Sequence, residues 1–190
     1  MSAHAQVEAL PPGLTGPKLA VWWFLASEIM VFGGLIASYL VLRLGGTGWA
    51  EASQHLSPTL AAVNTLVLLT SSYTIVRAFV AAEHGDAGGL RVNLALTVVG
   101  GLIFLGLKAV EYTTEIRAGF TPGAGIFWSF YYTMTGLHAL HVLGGVVVNV
   151  VILAATRASL ERPHRVELAG LYWHFVDLVW IFLFPLLYLS

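Results

Sequence analysis

Eight side chains of this 190-residue sequence carry chemistry that stands out against its apolar background: Glu28, Asn64, Lys108, Glu111, His138, His141, His174 and Asp177. Their types fit three kinds of work. Imidazoles ligate haem iron or copper, imidazole and carboxylate together relay protons through a membrane, and opposite or hydrogen-bonding groups neutralise one another where water is absent. Lys108 and Glu111, His138 and His141, and His174 and Asp177 are each three residues apart, which puts both members of a pair on one side of a helix. The chain has no cysteine, which excludes disulfides, thiolate metal sites and a cysteine nucleophile. Nine Lys and Arg against ten Asp and Glu leave a formal charge of −1, so nothing points to nucleic acid.

The elements that hold these groups follow from composition. Hydrophobic residues make up 57% of the chain and charged residues 10%, against about 25% charged in a soluble domain. A 20.4 kDa globule with a mean hydropathy of +0.80 has too much surface to hide so much apolar area from water. Lipid is therefore the expected solvent. A helix needs about 20 apolar residues to cross a hydrocarbon layer of about 30 Å, and five runs qualify, over about 19–42, 56–76, 92–115, 125–155 and 168–189. The expected fold is all-α, a polytopic bundle of five transmembrane helices forming one membrane domain over 18–190 behind a tail of residues 1–17. The connections are short and rich in Gly and charge, and no internal repeat is visible. The tail has no basic region leading into a short apolar stretch, so a cleaved signal peptide is not expected. Lys18, Arg77, Arg91, Arg157, Arg162 and Arg165 fall on one side, and Arg43, Lys108 and Arg117 on the other. That asymmetry predicts a cytoplasmic N-terminus and an outside C-terminus.

A charge at mid-bilayer costs about 2.5 to 3.5 kcal/mol on insertion scales, so the polar groups inside the spans need partners. Counting from Lys18, Glu28 lies roughly 15 Å deep. The small residues after it, Gly33, Gly34, Ala37 and Ser38, suit close helix packing and predict that Glu28 faces the bundle interior. Tyr131, Met134, His138, His141, Gly145 and Asn149 recur at helical spacing as one stripe that should face protein. Glu167, Gly170, His174 and Asp177 repeat the pattern in the last span, where His174 and Asp177 are expected to interact. Lys108, Glu111 and Glu115 share a face, with Lys108 able to pair with Glu111 or to snorkel to the outer interface. Asn64, Thr65, Ser71 and Ser72 supply interhelical hydrogen bonds. Glu28 is expected to bond to His138 or His141 or to these hydroxyls.

Three functional readings compete at this level. In a redox subunit, His138, His141 and His174 ligate haem or metal, but two stacked haems need well-separated His pairs on two helices. In a proton-conducting transporter, Glu28, Asp177 and the histidines form a relay, but five spans show no inverted repeat and no matched helix breaks. In an accessory subunit, the same groups form a satisfied interhelical network.

Several stretches bear a closer likeness. Trp22-Trp23-Phe24-Leu25-Ala26-Ser27-Glu28-Ile29-Met30-Val31-Phe32 resembles the Ser-Glu helix of cytochrome c oxidase subunit III. Asn64-Thr65-Leu66-Val67-Leu68-Leu69-Thr70-Ser71-Ser72 is similar to that family's next helix, and Lys108-Ala109-Val110-Glu111-Tyr112 to the end of the one after. Thr135-Gly136-Leu137-His138-Ala139-Leu140-His141-Val142 resembles its Thr-Gly-x-His-x-x-His-Val motif, and Tyr172-Trp173-His174-Phe175-Val176-Asp177-Leu178-Val179-Trp180 its closing signature. The five occur in the family's order across residues 18–189.

The resemblance implies a non-catalytic subunit of a haem-copper terminal oxidase. It implies no haem or copper in this chain, both being carried by partner subunits, and direct packing on catalytic subunit I, which reduces dioxygen and pumps protons. Subunit II and other respiratory-complex chains would be further partners, phospholipid would occupy a cleft, and the location would be the bacterial inner membrane. Glu28 would match the family's intramembrane Glu, and His138, His141, His174 and Asp177 polar positions of its bundle, none catalytic. Longer members carry two helices before the Ser-Glu helix. Here only seventeen residues precede Lys18, so either an extended subunit I or an open lipid groove is expected at the vacant position. Quinol oxidases and nitric-oxide-reductase-associated proteins have similar five-helix members, and a free-standing proton-conducting transporter is the rival outside the family.

Overall fold

The computed structural model describes residues 16–46 and 48–189, all helix and short connections. The helices are α1 (Gly16–Gly45), α2 (Trp49–Ser53), α3 (Pro58–Glu83), α4 (Ala87–Arg117), α5 (Ile126–Ala154), α6 (Thr156–Glu161) and α7 (His164–Tyr188). Five of them, α1, α3, α4, α5 and α7, are long and apolar enough to cross a membrane. Helix is the outcome lipid demands, because a spanning segment must satisfy its own backbone donors and acceptors.

Helices α1, α3, α4 and α7 run past the predicted spans at one end or both while α5 stays within its own, and local sequence explains where α3 and α4 begin and end. The second span was expected to end near Val76, but α3 continues two turns through Arg77 to Glu83. Gly85 closes it in the left-handed region at φ 71°, with Gly85 N–H bonded to Ala82 O and Asp86 N–H to Ala81 O. Ser57 caps the start of α3 by accepting from Leu60 N–H, with Pro58 in the first turn, where its missing N–H leaves no bond unmade. Asp86 caps α4 by accepting from Gly89 N–H at 2.9 Å, which moves that helix start from the expected 92 to Ala87. Most of the tail expected over 1–17 lies outside the described residues. The short helices α2 and α6 were not foreseen, since five or six residues carry no readable period.

The α3–α4 hairpin is the most extensive helix pairing; α7 packs against α3 and α5, and α5 against α4. At the centre, Trp173 of α7 is fully buried. A Cβ on Gly145 of α5 would stand 2.6 Å from its ring and one on Gly101 of α4 2.8 Å, so these glycines are small because the indole lies against both backbones. Its Nε1–H donates to Ser71 Oγ on α3 at 3.0 Å, so one side chain ties four helices together.

Helix α1 is held differently. It packs lightly, mainly on α7 and α5 and through Tyr39 on Trp49 of α2, with Leu25, Phe32 and Tyr39 as its buried residues. Gly33, Gly34, Ala37 and Ser38 are exposed, and a Cβ on either glycine would meet nothing within 4 Å. The small residues that pointed Glu28 toward the bundle interior thus do not themselves lie inside it. Small residues mark a surface fit for close approach, and in this chain that surface faces outward.

Candidate functional site

The sequence-predicted polar residues separate into three clusters and an unpaired set. The tightest cluster lies in the C-terminal half of α4. Lys108 Nζ lies 3.2 Å from Glu111 Oε2 and donates to Tyr131 Oη at 3.3 Å and Tyr188 Oη at 2.6 Å. Tyr131 and Tyr188 in turn donate to Glu111 Oε1 at 2.9 and 2.6 Å. The ammonium thus uses its three donors on three acceptors, and the carboxylate accepts three bonds. The rings of Tyr112, Tyr131, Trp180 and Tyr188 stand around Nζ, with Tyr131 at 4.9 Å from its centroid. Lys108 is 3% exposed, so it pairs and does not snorkel. The pairing was readable from the i,i+3 spacing. Tyr188, 77 residues from Glu111 and one turn beyond Pro185 inside α7, carried no signal.

The second cluster joins α1 to α5. Glu28 Oε2 lies 3.1 Å from His141 Nε2, both side chains about 15% exposed. His141 Nδ1 lies 2.8 Å from Leu137 O, and a carbonyl only accepts, so Nδ1 carries a proton. That leaves Nε2 to meet the Glu28 carboxyl across the α1–α5 seam. Tyr172 Oη donates to His141 O at 2.9 Å and fixes the α5–α7 contact beside the pair. Glu28→Gln keeps an N–H to offer Nε2, so it should leave the level and thermal stability of the chain close to wild type, whereas Glu28→Ala strands the ring and should lower both. Quantitative immunoblotting of membranes from the two variants checks this, and equal loss in both would show that the carboxylate itself is required.

The third cluster lies on α3 and α7. His174 Nδ1 bonds Ser72 Oγ at 2.6 Å, not Asp177, and its ring is exposed at the bundle surface. The expected His174–Asp177 contact is corrected: residues three apart share a helix side, but neighbouring α3 lies between their directions and takes the imidazole. Elsewhere on that seam Thr65 Oγ1 accepts from Trp180 Nε1–H at 3.0 Å. Lys18 Nζ and Glu167 Oε1 meet at 2.6 Å where α1 and α7 begin.

Asn64, His138 and Asp177 are buried with no hydrogen bond from their polar side-chain atoms among the described residues. His138 serves as an aromatic plate, stacked on Trp180 at 5.2 Å and edge-on to Phe104 at 5.4 Å. The three histidines therefore look at three different neighbours: His138 at Trp180, His141 at Glu28, and His174 at Ser72. Among the described residues no three His, Asp or Glu side chains converge as a ligand set.

Five helices long and apolar enough to span a membrane, with Lys108 paired to Glu111 within α4 and Glu28 to His141 across the α1–α5 seam, define a polytopic membrane protein. The family model described as Cytochrome c oxidase subunit III matches residues 7–190. Cytochrome c oxidase subunit 3 of Corynebacterium diphtheriae is 40% identical, covering 99% of this chain and 94% of that protein. The probable cytochrome c oxidase subunit 3 of Nocardia farcinica is 36% identical, covering 93% and 88%. Cytochrome c oxidase subunit 3 of Thermostichus vulcanus is 36% identical, covering 87% and 83%. The chain belongs to the cytochrome c oxidase subunit III family and is a multi-pass membrane subunit of a haem-copper oxidase.

Proposed function

We propose that this chain is the non-catalytic subunit III of a cytochrome c oxidase, packing on the large catalytic subunit I, stabilising it and supporting its proton uptake as dioxygen is reduced to water. The observation that supports this most directly is how the ionisable groups are used. Lys108 with Glu111, and Glu28 with His141, neutralise each other inside the bundle, and the histidines turn to separate partners. Such groups hold helices in register. In this reading Glu28, Asn64, Lys108, Glu111, His138, His141, His174 and Asp177 form the intramembrane polar network, haem and copper lie in subunits I and II, and the chain has no active site of its own.

Phospholipid fits the groove of about 480 Å³ between α1, α5 and α7, lined by Phe24, Val148, Ile152 and Leu168 with Arg165 at its mouth. The aliphatic walls suit an acyl chain and the guanidinium an anionic headgroup. The Lys and Arg asymmetry supports a cytoplasmic N-terminus, and the bacterial relatives support the inner membrane.

Purification through a tag on this chain from native membranes tests the reading. The expected result is co-purification with a haem-bearing large subunit and a copper-carrying subunit II, with an oxidase haem spectrum. A haem partner without a copper-carrying subunit would instead indicate a quinol-oxidising or nitric-oxide-reducing complex. A colourless chain that conducts protons in vesicles by itself would overturn it.

A further inference from the structure

The lipid-facing surface of the bundle is aliphatic almost throughout, as on α5 at Leu140, Leu143, Val147 and Val151. The exposed hydroxyls of Ser27, Ser38 and Thr70 donate to carbonyls of their own helices and present nothing outward. His174 is the exception. It is the one exposed imidazole or charged side chain in the central part of a spanning helix among the described residues. It stands ten residues into α7 and six residues, about 9 Å along the axis, into the span expected from Leu168. Its Nδ1 is taken by Ser72, and Nε2 has no partner among the described residues. Behind it Asp177 is 4% exposed with both oxygens unpaired, and Ser72, which faces both groups, has a single proton to give. Whichever acceptor Ser72 serves, an unmet hydrogen-bonding group remains at that depth.

The surroundings are shaped to receive a helix. Leu171, His174, Leu178 and Ile181 form one ridge of α7 at helical spacing. A groove of about 270 Å³ against α1, floored by Phe32 and Val179, runs along one flank. One of about 140 Å³ against α3, walled by Ile75 and Phe79, runs along the other. A headgroup sits at the membrane surface, outside the apolar span, and acyl tails have no hydrogen-bonding atom. We infer that this ridge and its two grooves seat an apolar transmembrane helix of the oxidase's large catalytic subunit, which presents one hydrogen-bonding side chain to His174 Nε2. The inference rests on the subunit III reading and adds which face docks.

Two measurements on the native complex test it. A photo-crosslinking benzoylphenylalanine at Leu178 should form an adduct with the haem-bearing subunit, and the same probe at Val147 on α5 should not. An adduct from Val147 alone, or from Leu178 only to lipid or to a second copy of this chain, would overturn the assignment. His174→Leu should retain about three- to tenfold less haem-bearing subunit per tagged chain after a detergent wash, the scale of one interhelical hydrogen bond. His174→Gln, which still bonds, should retain nearly all of it. Equal loss of the chain itself in both variants would show that His174 serves only the internal fold, and would also overturn it. If the subunit III reading fails instead, the wild-type tagged chain brings down no haem.

Discussion

Lys108→Met should destabilise the folded chain by about 3–5 kcal/mol, the cost of leaving one charge of a buried pair without the other. Lys108 and Glu111 are each 3% exposed as side chains and lie 3.2 Å apart, so neither has water to fall back on. Removing the ammonium leaves the Glu111 carboxylate facing Tyr131 and Tyr188, whose two hydroxyls cannot replace a full charge. Exchanging both partners should be milder. In Lys108→Met with Glu111→Met the charges vanish together, and the two tyrosine hydroxyls that both faced Glu111 are left close enough to turn to each other. Denaturant titration of the purified complex, read by protease resistance of this chain, separates the cases. If the double exchange is as damaging as the single one, mutual neutralisation is not what this cluster contributes.

Trp173→Ala is expected to cost about as much, roughly 3–5 kcal/mol, for a different reason. The indole fills the space left by Gly101 and Gly145 and is fully buried, so truncation opens a cavity where α3, α4, α5 and α7 meet. Neither glycine backbone has a side chain to move into it. Trp173→Phe keeps most of the ring and loses the bond to Ser71, so its cost should be smaller, about 1–2 kcal/mol. Equal losses for Ala and Phe would mean that the hydrogen bond, not the volume, holds the junction. A wild-type transition for Ala would mean that the helices are held from elsewhere. Thermal unfolding in mild detergent, followed by near-ultraviolet circular dichroism, reads the series.

The polar pairs show how far spacing alone can be trusted. Lys108 with Glu111 was legible because both ends lie on one helix, and the neighbours that reach them, Tyr131 and Tyr188, bridge the pair and do not replace either partner. His174 with Asp177 had the same spacing and failed, because Ser72 arrives from α3, 102 residues away in the chain, and takes the ring nitrogen. Glu28 had two imidazoles within reach by depth, and the structure pairs it with His141 while His138 turns to Trp180. The small residues of α1 were read as a sign that Glu28 faces the bundle, and Glu28 does meet His141, yet Gly33 and Gly34 themselves face outward. Small side chains report that something approaches closely, not whether it belongs to the same polypeptide.

The sequence by itself determined the solvent, the number of spans and the residues that must be neutralised, since these depend on composition, run length and helical period, all properties of neighbours along the chain. The family likeness was also legible there, in motifs that keep their order. Only the tertiary structure decided which carboxylate meets which imidazole, that Tyr188 closes the Lys108 cluster, and that His174 looks outward while Asp177 lies behind it. Each of those depends on how far one helix is rotated and shifted against another, and packing between side chains far apart in the chain sets that angle.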